Sequence, residues 1–135
     1  MSRPWKCERG SAAIEFALVA PLLMTLIMGI VLYGSYFWTA HAVQQLANDA
    51  ARAAVAGLDE AEQGSLARQA VAEEIGSYAA LSGQAMTVAV QGGGDMITVR
   101  LVYNDAQAPY RLFSDLVPSP PADVRRTATV RIGGF

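Results

Sequence analysis

From Phe16 to Ala40 the chain runs for 25 residues without a formal charge. At about 1.5 Å of rise per residue, a helix of that length crosses the roughly 30 Å hydrocarbon core of a bilayer. The run reads as a membrane span and divides the rest of the chain. Arg3, Lys6 and Arg9 stand before it against Glu8, and no charge follows it until Asp49. That basic excess keeps the N-terminus in the cytoplasm and places everything after Ala40 outside. Ala40-His41-Ala42 also satisfies the small-x-small rule of signal peptidase, but the apolar run far exceeds the roughly 7–15 residues of a signal core, and no turn-forming polar region precedes Ala40.

Glu15 does not fit a plain anchor. A carboxylate in lipid costs on the order of 2.5–3.5 kcal/mol at the bilayer centre, and such groups sit near a partner that neutralises them. The spacing supplies one. Cleavage after Gly10 leaves Ser11 with a cationic amine and makes Glu15 the fifth mature residue, so that the amine of a neighbouring chain can meet the carboxylate. Within the span, Ala13, Ala17, Pro21, Thr25 and Gly29 recur every four residues near one ridge, where small side chains allow the close backbone approach by which helices associate in lipid. Pro21 takes away a hydrogen bond from the Ala17 carbonyl and bends the helix unless neighbours repair the loss.

Gly10, four residues, then Glu15-Phe16, after a short basic leader and before an uncleaved apolar helix, resembles the processing motif of Flp-type prepilins and pseudopilins, which a prepilin peptidase trims on the cytoplasmic face. More closely, the run Gly10, Glu15-Phe16, Pro21, Gly29 and Ala47 to Ala54 resembles the TadE-like family of pseudopilins in tight-adherence (Tad) pilus systems, over the stretch up to about Gly57. The resemblance implies a minor pseudopilin that takes part in pilus assembly and adhesion. It implies a single-pass protein of the bacterial inner membrane with a periplasmic head, incorporated into a surface pilus. The partners it implies are the prepilin peptidase, other pilins or pseudopilins and inner-membrane pilus assembly proteins, with homo- or hetero-oligomers formed through the N-terminal helix. No cofactor is implied.

Tyr33, Tyr36, Phe37 and Trp38 crowd the outer end of the span, where amphipathic rings settle at the headgroup level. The helical period then continues: Val43, Leu46, Ala47, Ala50 and Ala54 are three and four apart, while Gln44, Gln45, Asn48 and Arg52 point elsewhere. Gly57 is a C-terminal stop signal. An unbroken helix from Ser11 to Ala56 holds 46 residues and runs about 69 Å, half anchor and half spine for a globular head, as in pilins.

A second helix is expected from Asp59, whose side chain can cap the first turn, with Glu60 and Glu62 favourable to the helix dipole. Leu66, Ala70, Ile75 and Tyr78 form its apolar side. Met86 to Gln91 and Met96 to Tyr103 read as strands joined by a hairpin at Gly92-Gly93-Gly94-Asp95, and Val124 to Ile132 as a third. Asn104 to Asp123 is a long connection with a short helix at Tyr110 to Val117; loops of that length tend to be functional or mobile. The expected fold is therefore α+β and pilin-like, with a long N-terminal transmembrane and spine helix, a second helix and a small antiparallel sheet of about three strands. Residues 1–10 would be the cleaved leader, 11–57 the transmembrane helix and its extension, and 58–135 the exported head.

Chemistry is thinly supplied. From His41 onward seven Arg face ten acidic residues, a net of −3, against a nucleic-acid surface, where a basic stripe is expected. Cys7 is the sole cysteine and precedes the expected cut, so the exported head forms no internal disulfide. No nucleophile–base pair, zinc spacing or dinucleotide fingerprint is present. Asp59, Glu60, Glu62, Glu73 and Glu74 read as a solvated helix face, not a metal site. The chain reads as the substrate of an enzyme, cut at Gly10-Ser11, and not as an enzyme itself. The alternative is a single-pass inner-membrane protein whose exported head binds envelope partners without entering a filament.

Overall fold

The computed structural model describes residues 8–79 and 81–133; the expectations placed on Arg3, Lys6 and Cys7 fall outside them. Helix α1, Glu8–Ala54, is continuous over 47 residues, about 70 Å at the helical rise. Pro21 lies inside it without ending it. The Thr25 hydroxyl donates to the Pro21 carbonyl at 2.9 Å, and the Ser35 hydroxyl to the Val31 carbonyl at 2.7 Å. Both polar groups are thereby satisfied within the helix, as a hydrocarbon environment demands.

The helix changes character along its length. Between Ile14 and Ile30 its large apolar side chains face outward on every side, Phe16 being 71% and Leu22 73% exposed. A helix that is apolar all round belongs in lipid or deep in a core. From Ala40 upward a single stripe turns inward. Ala40, Val43, Leu46, Ala47, Ala50, Ala51 and Ala54 are buried, while Gln45, Asn48 and Arg52 remain exposed. The stripe expected from the spacing is thus the floor of the head's core.

Helix α2, Glu60–Glu74, begins where Asp59 caps it: the Asp59 carboxylate accepts from the Glu62 amide at 2.8 Å, and the Glu62 carboxylate accepts in return from the Leu58 amide at 2.8 Å. Its buried side differs from expectation. Gln63, Gly64, Ala67, Val71 and Ile75 face inward, with Leu66, Ala70 and Tyr78 only half-buried. The distance between two helices depends on the side chains at their contact. Against an alanine stripe the closest seating is reached with Gly64 and Ala67 inward and Leu66 to the side.

Strands β1 (Met86–Gly93), β2 (Met96–Asn104) and β3 (Asp123–Arg131) form one antiparallel sheet in the order β1-β2-β3. The central strand alternates strictly, with Ile97, Val99, Leu101 and Tyr103 buried, so period two selects one face for the core. Val99 pairs with Val90 on one side and with Ala128 on the other. Gly93 pairs with Met96, leaving Gly94-Asp95 as a two-residue turn. Gly94 has φ +61, at the first central position, where a type II′ hairpin takes glycine. The sheet covers the upper half of α1 through β2 and β3, and α2 covers β1.

The α1–α2 connection is closed at Gly57. A Cβ at this position would stand 2.6 Å from the Gln63 backbone nitrogen and 2.9 Å from its Cα. Backbone cannot yield as a side-chain tip can, so Gly57→Ala is expected to destabilise the head by about 1–3 kcal/mol, the range for overpacking. Gly76→Ala, where nothing lies within 4 Å, should leave stability almost unchanged. Chemical denaturation of the two variants in detergent, followed by far-UV circular dichroism, checks the contrast.

Candidate functional site

Two surfaces stand out, one at each end of the apolar part of α1. At the lower end Gly10, Ser11, Glu15 and Phe16 lie in the first turns of the helix, all exposed. Helical geometry places Ser11 and Glu15 four apart, on one face and one turn distant. Among the described residues nothing beyond its own turn lies within 4 Å of where a Cβ at Gly10 would stand. Above them Ala13, Ala17, Pro21 and Thr25 are exposed. Gly29, the last of the ridge, is half-buried, and a Cβ there would meet Val117 Cγ1 at 3.8 Å. The ridge is open along most of its length and touched by the chain's own head at the top.

That touch comes from the long connection between β2 and β3, which runs down beside α1. Its neck is closed by Asn104 Nδ2 donating to Asp123 Oδ1 at 2.9 Å and by the Asp105 amide donating to the Ala122 carbonyl at 2.8 Å. The expected helix at Tyr110 to Val117 is a 3₁₀ helix over Pro109–Phe113, followed by turns. Arg111 holds the descent together. Its Nε donates to the Asp105 carbonyl at 2.6 Å, Nη1 to the Pro120 carbonyl at 3.2 Å and Nη2 to the Pro121 carbonyl at 3.0 Å. Both ends of the connection are thus gathered on one guanidinium fork. Leu32, just over two turns below Ala40, is wholly buried. Ser11 to Ile30, the 20 residues below it, stay exposed or at most half-covered, which matches the span that a hydrocarbon core of about 30 Å requires.

An open cleft of about 1060 Å³ lies between α1 and the head, bordered by Ser35, Trp38, Ser82, Tyr103 and Asp105. Asp105 is 5% exposed, its Oδ2 receives no hydrogen bond and stands 3.8 Å from Arg111 Nη2. Burial pushes its carboxyl pKa up, and the Arg111 charge only partly counters that. Tyr103 beside it is raised as well, by burial and by the Asp105 charge, against a backbone hydrogen bond at Ser82 that lowers it.

A family model for TadE-like protein matches residues 10–52. That stretch, the TadE-like segment, is similar to TadE-like proteins. It begins at Gly10, takes in Glu15-Phe16 and the whole ridge from Ala13 to Gly29, and ends at Arg52 within the alanine stripe. Searches among curated proteins and among solved structures returned no match. The TadE-like segment is therefore nearly all of α1, and α2 and the sheet lie beyond it. Among the described residues α1 is the one helix long and apolar enough to cross a membrane, with a mean hydropathy of 2.4 in its best window.

The aromatic group at the top of the TadE-like segment is divided by the head. Phe37 is 64% and Trp38 51% exposed, whereas Tyr36 packs against the core. Spacing alone did not separate them, because the head's footprint on α1 is set by tertiary packing of α2, β2 and β3 against it. Asp105 and Arg111 were not singled out in sequence either. The cue was there in an Asp and an Arg six apart within a proline-bounded loop, but their carbonyl partners are tertiary.

A carboxyl with a raised folded pKa keeps its proton longer folded than unfolded. Its contribution to stability is therefore fullest below the ordinary aspartate value of 3.8 and declines as pH rises through the interval up to the folded value. Asp105→Asn removes that decline. Its melting temperature in detergent should differ least from that of the parent at about pH 3.5, and the difference should move in the variant's favour towards about pH 7. A difference independent of pH would show that Asp105 does not titrate in this way.

Proposed function

We propose that the chain is a minor pseudopilin of a Tad/Flp-type pilus, trimmed after Gly10 by a prepilin peptidase and then packed through α1 beside other pilin helices. The observation that carries this reading is the TadE-like match from Gly10 through Glu15-Phe16 on a helix whose lower half is apolar all round and uncovered. The chain acts as the peptidase's substrate. Gly10-Ser11 falls inside the first turns of α1, and a protease needs that backbone locally opened. Glycine, about 1 kcal/mol worse than alanine in a helix interior, makes opening easier there.

Once Ser11 carries a free amine, the exposed Glu15 carboxylate has a cationic partner on an adjacent subunit. In the lipid setting such a pair is shielded far less than a surface salt bridge. The pairing sets the axial register of a head-to-tail array that does not close on itself. The small-residue ridge Ala13, Ala17, Pro21 and Thr25 allows the helices to approach closely enough for the pair to form. This places the protein in the bacterial inner membrane before assembly, with the N-terminus cytoplasmic.

Intact mass of the membrane-extracted protein from cells with an active prepilin peptidase should correspond to a chain beginning at Ser11; a mass that retains Met1 through Gly10 would contradict the processing step. Glu15→Gln should leave that mass change nearly intact and lower the yield of sheared fibres. Unchanged fibre output would remove the carboxylate–amine pair from the mechanism. Absence of the processed chain from sheared fibres altogether would favour an envelope-binding membrane protein.

A further inference from the structure

The head does not merely stand on α1. Its β2–β3 connection descends to Gly29, where Val117 lies against the helix. That is eleven residues below Ala40 in the sequence, about 16 Å along the axis. The level is just inside the upper end of the uncovered Ser11 to Ile30 stretch. In the same connection, within five residues of Val117, Leu112 is 81%, Leu116 65% and Phe113 37% exposed. Among the described residues, the other large apolar side chains outside that uncovered stretch that are more than half exposed are Phe37 and Trp38, in the aromatic group of α1, and Leu58, in the α1–α2 turn.

We propose that the segment Leu112–Val117 is a second membrane contact, inserted in the head-side leaflet beside the span, and that the groove between it and α1 takes a lipid acyl chain. Three observations choose lipid as the occupant. The groove, about 470 Å³, is bordered by Leu22, Leu26, Gly29, Ile30 and Val117 and is continuous with the lipid-facing side of α1. Of the two hydroxyl-bearing side chains on its border, Thr25 and Tyr33, that of Thr25 is already spent on the Pro21 carbonyl, so water there would find few of the polar partners that hold it. And Arg111, which could have kept the tip in water, is folded back on three carbonyls with its side chain only 12% exposed. Asp115, exposed on the same connection, limits the insertion by holding its own carboxylate at headgroup level while the apolar side chains beside it reach the acyl region. Because that charge is negative, apolar area and not attraction to anionic lipid drives the contact.

The inference rests on α1 crossing a bilayer, and the test separates the two. In a Cys7→Ser background, nitroxide labels are placed singly through Leu112→Cys, Leu116→Cys, Leu26→Cys in the span and Thr87→Cys on the exposed face of β1. The full chain is reconstituted in phosphatidylcholine vesicles, and relaxation by dissolved oxygen is compared with relaxation by a water-soluble nickel chelate. Labels at 112 and 116 should follow the label at 26, with oxygen contact several-fold above nickel contact, and the label at 87 should show the reverse. If 112 and 116 follow 87 while 26 stays in lipid, the loop contact is overturned and the span stands. If 26 is also reached by nickel, both fall. Spin–spin broadening at 112 and 116 that grows with the protein-to-lipid ratio would mean a second copy fills the groove, and would overturn lipid as its occupant.

Discussion

One helix has to satisfy two solvents. Below Ile30 it meets surroundings that accept no backbone or side-chain hydrogen bonds, and above Ala40 it must offer one face to water and one to a protein core. The chain answers with an unbroken α-helix, which keeps nearly every backbone group satisfied in either medium, and with a change in side-chain pattern along it. Every other element is placed by that change. The sheet and α2 can only attach where an apolar stripe is bounded by polar residues, and that stripe is Ala40 to Ala54.

Alanine in that stripe has a structural consequence. A row of methyl groups contributes less burial per residue than leucine would, by the roughly 0.8 kcal/mol per methylene of apolar transfer, so the head gains stability by close approach and by the larger residues opposite. Those are Ile97, Val99, Leu101 and Val124 from the sheet, all wholly buried. On the other side α2 presents Gly64 and Ala67, and the turn before it shuts at Gly57 against the Gln63 backbone. A mostly thin spine, with Val43 and Leu46 as its bulkier members and Ile97, Val99, Leu101 and Val124 opposite on the sheet, gives a core in which the alanines and Gly64 supply proximity.

Whatever depended on period or on local chemistry could be read from the residues: the stripe at Val43, Leu46, Ala47, Ala50 and Ala54, the Asp59 cap, the alternation through β2 and the glycine turn at Gly94. What depended on a distant partner could not. Leu66 and Ala70 read as part of α2's apolar side from their spacing, yet the alanine stripe rewards the smaller Gly64 and Ala67. The β2–β3 connection looked like a free loop because nothing local shows that Arg111 will reach the carbonyls of Asp105, Pro120 and Pro121. At the lower end, Gly10, Ser11, Glu15 and Phe16 were legible because the candidate site is a linear motif. The descent of Val117 to Gly29 was not, since it joins residues 88 positions apart.

The same descent bears on how such a protein would leave a membrane. A head joined to its anchor only through α1 could be lifted as the helix slides, with no change in what the head touches. A head whose Leu112, Phe113 and Leu116 also rest in lipid must have those side chains covered again once the helix is withdrawn, because an exposed apolar patch of that kind in water invites association. The neighbouring surface best suited to cover them is another copy's span, apolar on all sides. On the proposed function the loop and the Ala13 to Gly29 ridge would be successive contacts of one process: lipid would occupy the groove while the chain waits in the bilayer, and an adjacent helix would replace it on packing into an array.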